Sequence, residues 1–205
     1  MPDSLAREIA ALTFEHVVLV AVALSAASAI GVPAGIWLTR HEAWRGTVLG
    51  FTNVVQTIPS LALFGFLIPL PFVGGIGKRT AIVALVLYAL LPILRNTLTG
   101  ILGVDPSVVE SATAMGMTGR QRLFRVELPL AAPTVLAGIR IAAVTTIGTA
   151  TIAAAIGGGG LGVFIFRGLA SVDTSQILAG AVPAALLALA ADGGFGWIER
   201  RLARF

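Results

Sequence analysis

Cysteine is missing altogether, which removes disulfides, thiolate nucleophiles and Cys-based metal sites and leaves the redox compartment undefined. Histidine occurs only as His16 and His41, too few for a His-based centre, so no metal is expected in this chain. Charge is scarce as well: 12% of the 205 residues are charged, about half the share of a water-soluble domain. That excludes an ordinary cytosolic enzyme. The 14 cations exceed the 10 anions, yet they stand singly or in small groups between apolar runs. No continuous basic face can track phosphates, so nucleic acid is not a partner. There is no Gly-Lys-Ser/Thr to cradle a nucleotide. Gly157 to Gly162 formally satisfies G-x-G-x-x-G but lacks the strand, helix and downstream acid of a dinucleotide site. The glycine run reads instead as an outer loop followed by a short surface helix over Leu161 to Leu169.

What is present is hydrocarbon. Apolar residues make up 57% of the chain and the mean hydropathy is +0.94. About 20 such residues span a bilayer, so an all-α integral membrane protein with about five spans is expected, at about 17–39, 47–68, 80–101, 134–156 and 174–197. An outer N-terminal segment, 1–15, precedes a single transmembrane domain, 16–197. A polar loop, 102–129, interrupts that domain, and a basic tail, 198–205, follows it. Val17 to Thr39 is too long for the apolar part of a signal peptide and reads as a retained span. Gly46 to Gly77 carries no charge, and Pro59, Pro69 and Pro71 divide it into a span and a turn-rich outer loop.

Positive loops stay on the cytoplasmic side. Placing the polar loop there puts Arg40, Arg45, Arg120, Arg122, Arg125, Arg200, Arg201 and Arg204 inside, with Arg95 and Arg140 near the inner span ends. Arg7, Lys78, Arg79 and Arg167 remain outside. The N-terminus is then outside and the C-terminus cytoplasmic. Arg95, Arg140 and Asp192 read as charges that reach water or pair with a neighbour.

The polar loop opens on a helix start: Asp105 can cap free amides, and Pro106 takes the first helical position, where its missing N–H costs nothing. The helix is expected to reach about Met115, with Ser107, Glu110 and Ala114 on one side and Val108, Ala112 and Met115 on another. Gly116 and Gly119 permit a sharp turn, and a second short helix over Arg120 to Leu128 is expected to stop at Pro129. By composition alone the loop is equally a solvated surface loop or a docking handle.

The spacing of Glu110-Ser111-Ala112, Gly116 and Val126-Glu127-Leu128-Pro129 resembles the cytoplasmic signature of ABC importer permeases, with Ser111 in place of Ala and Val126 in place of Ile. Gln56-Thr-Ile-Pro-Ser-Leu-Ala-Leu-Phe64, Arg95-Asn-Thr97 with Gly100 before Val104-Asp-Pro106, Ala137-Gly-Ile-Arg140 and Ile147 to Ala153 are similar to the glycine betaine, carnitine and choline branch. This resemblance implies the MetI-like, type I importer fold in a bacterial inner membrane. It implies a second permease subunit, alike or sister, and two ATPase subunits that hold ATP and Mg, so this chain carries no cofactor and no covalent chemistry. It also implies an extracytoplasmic substrate-binding protein, expected on a separate chain. The coupling residues it implies are Asp105, Pro106, Glu110, Ser111, Ala112, Met115, Gly116, Gly119, Arg120, Leu128 and Pro129. In that scheme Glu110 and Ala112 form the seat, Gly116 the bend and Leu128-Pro129 the junction to the fourth span.

Gln56, Pro59, Ser60, Tyr88 and Thr149 are candidates for the substrate pathway, with Phe51, Phe64 and Phe66 as further aromatic faces for a quaternary ammonium. Gly31 and Gly35 match a small-xxx-small packing pattern. A permease for another small solute such as an amino acid, an ATP-independent channel or secondary carrier, and a purely structural tether are the competing readings. Paired intramembrane acids and an internal repeat, the usual marks of a carrier, are not seen.

Overall fold

The computed structural model describes residues 2–71 and 73–202, so Arg204 of the basic tail lies outside the described residues. The order is α1 (Pro2–Arg40), α2 (Glu42–Thr57), α3 (Ser60–Leu67), α4 (Lys78–Leu102), α5 (Pro106–Ala114), α6 (Gly119–Arg122), α7 (Leu128–Ile152), α8 (Gly162–Ser171) and α9 (Thr174–Leu202). A π-helical turn, Leu123–Glu127, joins α6 to α7, and a 3-10 turn, Ala153–Ile156, ends α7. The 1–15 segment is helical from Pro2 and continuous with the first span.

Among the described residues four helices are long and apolar enough to cross a bilayer, and a fifth crossing exists if α2 and α3 count as one. These two meet at 105°, so the span expected at 47–68 is sharply broken. The cause is local. Pro59 has no N–H, and it forces Ile58 into extended backbone, with φ −71° and ψ 127°.

α4 is the central post, with half of its most apolar window buried, whereas only 11% of the α9 window is buried. α1 and α7 flank α4, and α9 lies on the outside of α7. Close approach of α1 to α4 depends on glycine. A Cβ on Gly35 would stand 2.7 Å from the Thr97 Cβ, and one on Gly31 would stand 2.8 Å from the Ile93 Cγ2. The small-xxx-small pattern is therefore a packing seam. Around it Ala27, Ala89, Ile93 and Ala142 form a dry layer, and Phe64, Ala84, Leu85 and Ala150 form a second.

At the glycine end of the bundle, Glu15 of α1 ties the loop after α7. Its carboxylate accepts the Gly160 N–H at 2.9 Å and pairs with Lys78. The expected short helix is present as α8, followed by Asp173, whose carboxylate accepts the Ser175 N–H at 2.9 Å and so caps α9.

Candidate functional site

At the opposite end the polar loop folds as two short helices around a left-handed glycine. Asp105 Oδ1 accepts the Ser107 N–H at 2.8 Å, and Pro106 occupies the first turn of α5. The same amide holds the Asp105 carboxyl below the usual carboxylate range. Ser111 turns its hydroxyl onto the Ser107 carbonyl at 2.8 Å, inside its own helix. Beyond α5 the chain reverses at Gly116, φ +79°, where the Met117 N–H donates to Ala112 and the Gly116 N–H to Thr113. These two bonds close the helix with a geometry that only glycine adopts readily. Thr118 and Gln121 then cap α6 reciprocally, with Gly119 and Arg120 exposed on its first turn.

Two expectations need correcting. Ala112 is 1% exposed, so it does not join Glu110 in an outward seat, nor does it share an exposed side with Val108 and Met115. The buried arc of α5 is narrow, and Val109 anchors it against Ile101, Val104 and Ala131. Glu110, Val108 and Met115 remain on the outside, with Met115 71% exposed. Second, Pro129 does not stop a helix. The Leu128 N–H bonds back to Leu123 through the π-helical turn, and α7 runs on with Pro129 in its first turn. The wider i to i−5 turn just before the proline accommodates the ring within a continuous helix.

The junction holds a carboxylate that the spacing rules passed over. Glu127 is 3% exposed and is gripped from two sides, by Arg40 Nη2 at 2.5 Å from the end of α1 and by Arg122 Nε at 2.8 Å. Arg122 Nη1 also donates to the Thr113 hydroxyl of α5 at 3.1 Å. A continuous polar strut thus runs from α5 through Arg122 and Glu127 to the end of α1. The Arg122 partner is five positions away in the chain. The Arg40 partner, 87 positions away, is not legible from spacing.

The pathway candidates divide. Pro92 inside α4 leaves the Tyr88 carbonyl without its helical donor, and the Gln56 side-chain amide of α2 donates to it at 2.8 Å. The Tyr88 hydroxyl in turn donates to the Ile58 carbonyl beside Pro59. Gln56, Tyr88 and Pro59 therefore form one joint, with Ser60 opening α3 directly after it. Thr149 bonds only within α7, to the Thr145 carbonyl at 2.9 Å. Phe64 is fully buried packing, whereas Phe51 and Phe66 are exposed. Arg140 is held by both oxygens of Asp192, at 2.7 and 2.8 Å, and by Glu199 at 3.2 Å. The pairing expected of Arg140 and Asp192 thus includes a second acid. Among the described residues no group of three or more His, Cys, Asp or Glu could hold a metal ion.

The profile of one family, described as the binding-protein-dependent transport system inner membrane component, matches residues 31–204. This chain belongs to that family. A choline transport system permease protein, OpuBB of Bacillus subtilis, is 47% identical over 190 residues, covering 93% of this chain and 86% of that protein. The osmoprotectant import permease protein OsmW of Salmonella typhimurium is 46% identical over 197 residues, covering 95% and 89%. Among solved structures, the inward-facing MetNI methionine ABC transporter superposes with a TM-score of 0.83 at 26% identity, over 93% of this chain and 94% of that one. The family member described here is thus a multi-pass inner membrane protein with the type I ABC importer permease fold.

Proposed function

We propose that this chain is the permease subunit of an ATP-driven importer for a quaternary ammonium compatible solute such as glycine betaine, choline or carnitine. The solute reading is supported by the names of the relatives at 44–47% identity. The mechanism rests on one observation, the polar strut from α5 to α1. ATP and Mg belong to separate ATPase subunits that dock on Glu110, Met115 and the exposed start of α6, with the polar loop and C-terminus cytoplasmic and the N-terminus outside. A second permease subunit completes the pathway, and a separate extracytoplasmic protein delivers the solute.

A docked ATPase can move the bundle only through contacts that differ between its states. α5 is short, capped at both ends and tied through Thr113, Arg122 and Glu127 to Arg40. Displacement of α5 is therefore transmitted to α1 and, through the unbroken π-turn, to α7. Gly116 supplies the bend and Leu128-Pro129 the rigid continuation. Asp105, Pro106 and Ser111 keep α5 a helix, and Ala112 packs it on the bundle. Gln56, Pro59, Ser60 and Tyr88 form a hinge bordering the pathway, and Thr149 lies further along it on α7.

The test is reconstitution with the cognate ATPase and receptor in vesicles. Receptor-stimulated ATP hydrolysis with uptake of one of these solutes supports the reading. Solute flux from the lone chain, or a partner bound without any transport, overturns it.

A further inference from the structure

Two arginines lie within the spans, and the fold treats them oppositely. Arg140 is paired with two acids, Asp192 and Glu199. Arg95, on α4, has no carboxylate partner among the described residues and gives one hydrogen bond, from Nη2 to the Asn53 side-chain oxygen at 3.2 Å. It borders a cleft of about 220 Å³ between α2, α4 and α7, together with Gln56, Pro92, Asn96 and Thr145.

Each neutral group around that cleft has given a donor to backbone, which leaves one N–H on each amide and none on the threonine hydroxyl. Gln56 donates to the Tyr88 carbonyl, Asn96 to Pro92 at 2.8 Å and Thr145 to Ile141 at 2.8 Å. The guanidinium alone keeps several N–H groups open to the cleft, in a planar fork that matches a carboxylate. Arg95, Asn53, Gln56 and Thr145 are all exposed on this chain. A charge and three polar side chains turned toward hydrocarbon would be costly, so this face borders water or another subunit rather than lipid.

We infer that Arg95 and the cleft beside Gln56 form a transient seat for the carboxylate of a zwitterionic solute. The inference rests on the proposed compatible-solute function. Arg95 stands about two turns before the polar-loop end of α4, and Asn53 shares its guanidinium. The seat is therefore a release point rather than a deep trap.

Glycine betaine carries a carboxylate and choline does not, which makes the ratio of their uptake the readout. The permease, its ATPase and its receptor are reconstituted with Arg95→Gln and Arg95→Lys, and uptake of both solutes is followed while receptor affinity for each is checked separately. Losing a charge-assisted hydrogen bond should lower the betaine-to-choline ratio about tenfold in Arg95→Gln, and Arg95→Lys should restore most of it. An equal fall for both solutes assigns Arg95 to structure and overturns the seat, as does a wild type that carries choline alone. A fall that follows the anionic-lipid content of the vesicles also overturns it, because it places a headgroup phosphate at the guanidinium. A wild-type complex that carries neither betaine, choline nor carnitine overturns the functional reading itself, and the seat with it.

Discussion

The molecule has two joints, and they are built from different chemistry. At the polar-loop end, α1, α5 and α7 are tied by charge, with Glu127 held between Arg40 and Arg122. At the proline break, α2 and α4 are tied by neutral bonds, Tyr88 to Ile58 and Gln56 to Tyr88. Water reaches the first, since the Arg40 side chain is 44% exposed, and a charged cluster that keeps one side hydrated avoids most of the cost of burying ions. Within the spans, the Tyr88 carbonyl freed by Pro92 and the Ile58 carbonyl at the bend are satisfied by neutral donors from neighbouring helices. An ionic strut suits a surface that receives force, and a neutral clasp holds a bend inside the spans.

The sharpest way to break this contrast is to remove the acid. Glu127→Ala leaves two cations facing each other and should cost about 3 kcal/mol in detergent unfolding, at the low end for a buried pair because Arg40 reaches water. The same variant in vesicles should keep hydrolysing ATP while uptake falls. Gly116→Val comes next: a β-branched residue at φ +79° costs about 2 kcal/mol. Membrane insertion should survive, and full uptake by this variant would remove the bend from the mechanism. For the neutral clasp, Tyr88→Phe leaves the Ile58 carbonyl unpaired and should cost about 1 to 2 kcal/mol by thermal unfolding. A loss larger than that of Glu127→Ala would reverse the ranking of the two joints.

The smallest effect belongs to the Asp105 cap. Its folded-state pKa is depressed by the Ser107 amide, so the cap is fully formed above the unfolded carboxylate pKa of about 3.9 and is lost as pH falls through the lower folded value. Protection of the Ser107 amide, relative to its intrinsic exchange rate, should therefore fall as pH drops through that lowered value. In Asp105→Asn that acid dependence should vanish, because the carboxamide does not titrate.

Much of this architecture was readable residue by residue. Asp105-Pro106 announces the start of α5, Gly116 its end, and the charge-free runs mark the spans, because each signal is local in the chain. Where reading went astray, a distant group had intervened. Pro59 reads as a divider of the charge-free run, but the 105° break also brings the Tyr88 hydroxyl onto the Ile58 carbonyl at the bend. Pro129 reads as a stop until the π-turn before it is seen. Ala112 shares helical spacing with Val108 and Met115, and only the packing of α5 on Ile101 and Ala131 decides which of them turns inward.

Composition and pattern by themselves determined that this chain crosses a membrane, how often within one crossing, and which loop is polar and capped. They suffice because the hydrocarbon core imposes length and apolarity on each span separately. Tertiary structure alone decided which acid meets which arginine and which carbonyl each free donor satisfies. It thereby left Arg140 neutralised and Arg95 open to the cleft. Those outcomes depend on groups as many as 87 positions apart, brought within hydrogen-bond reach only when the helices pack, and no local rule encodes that distance.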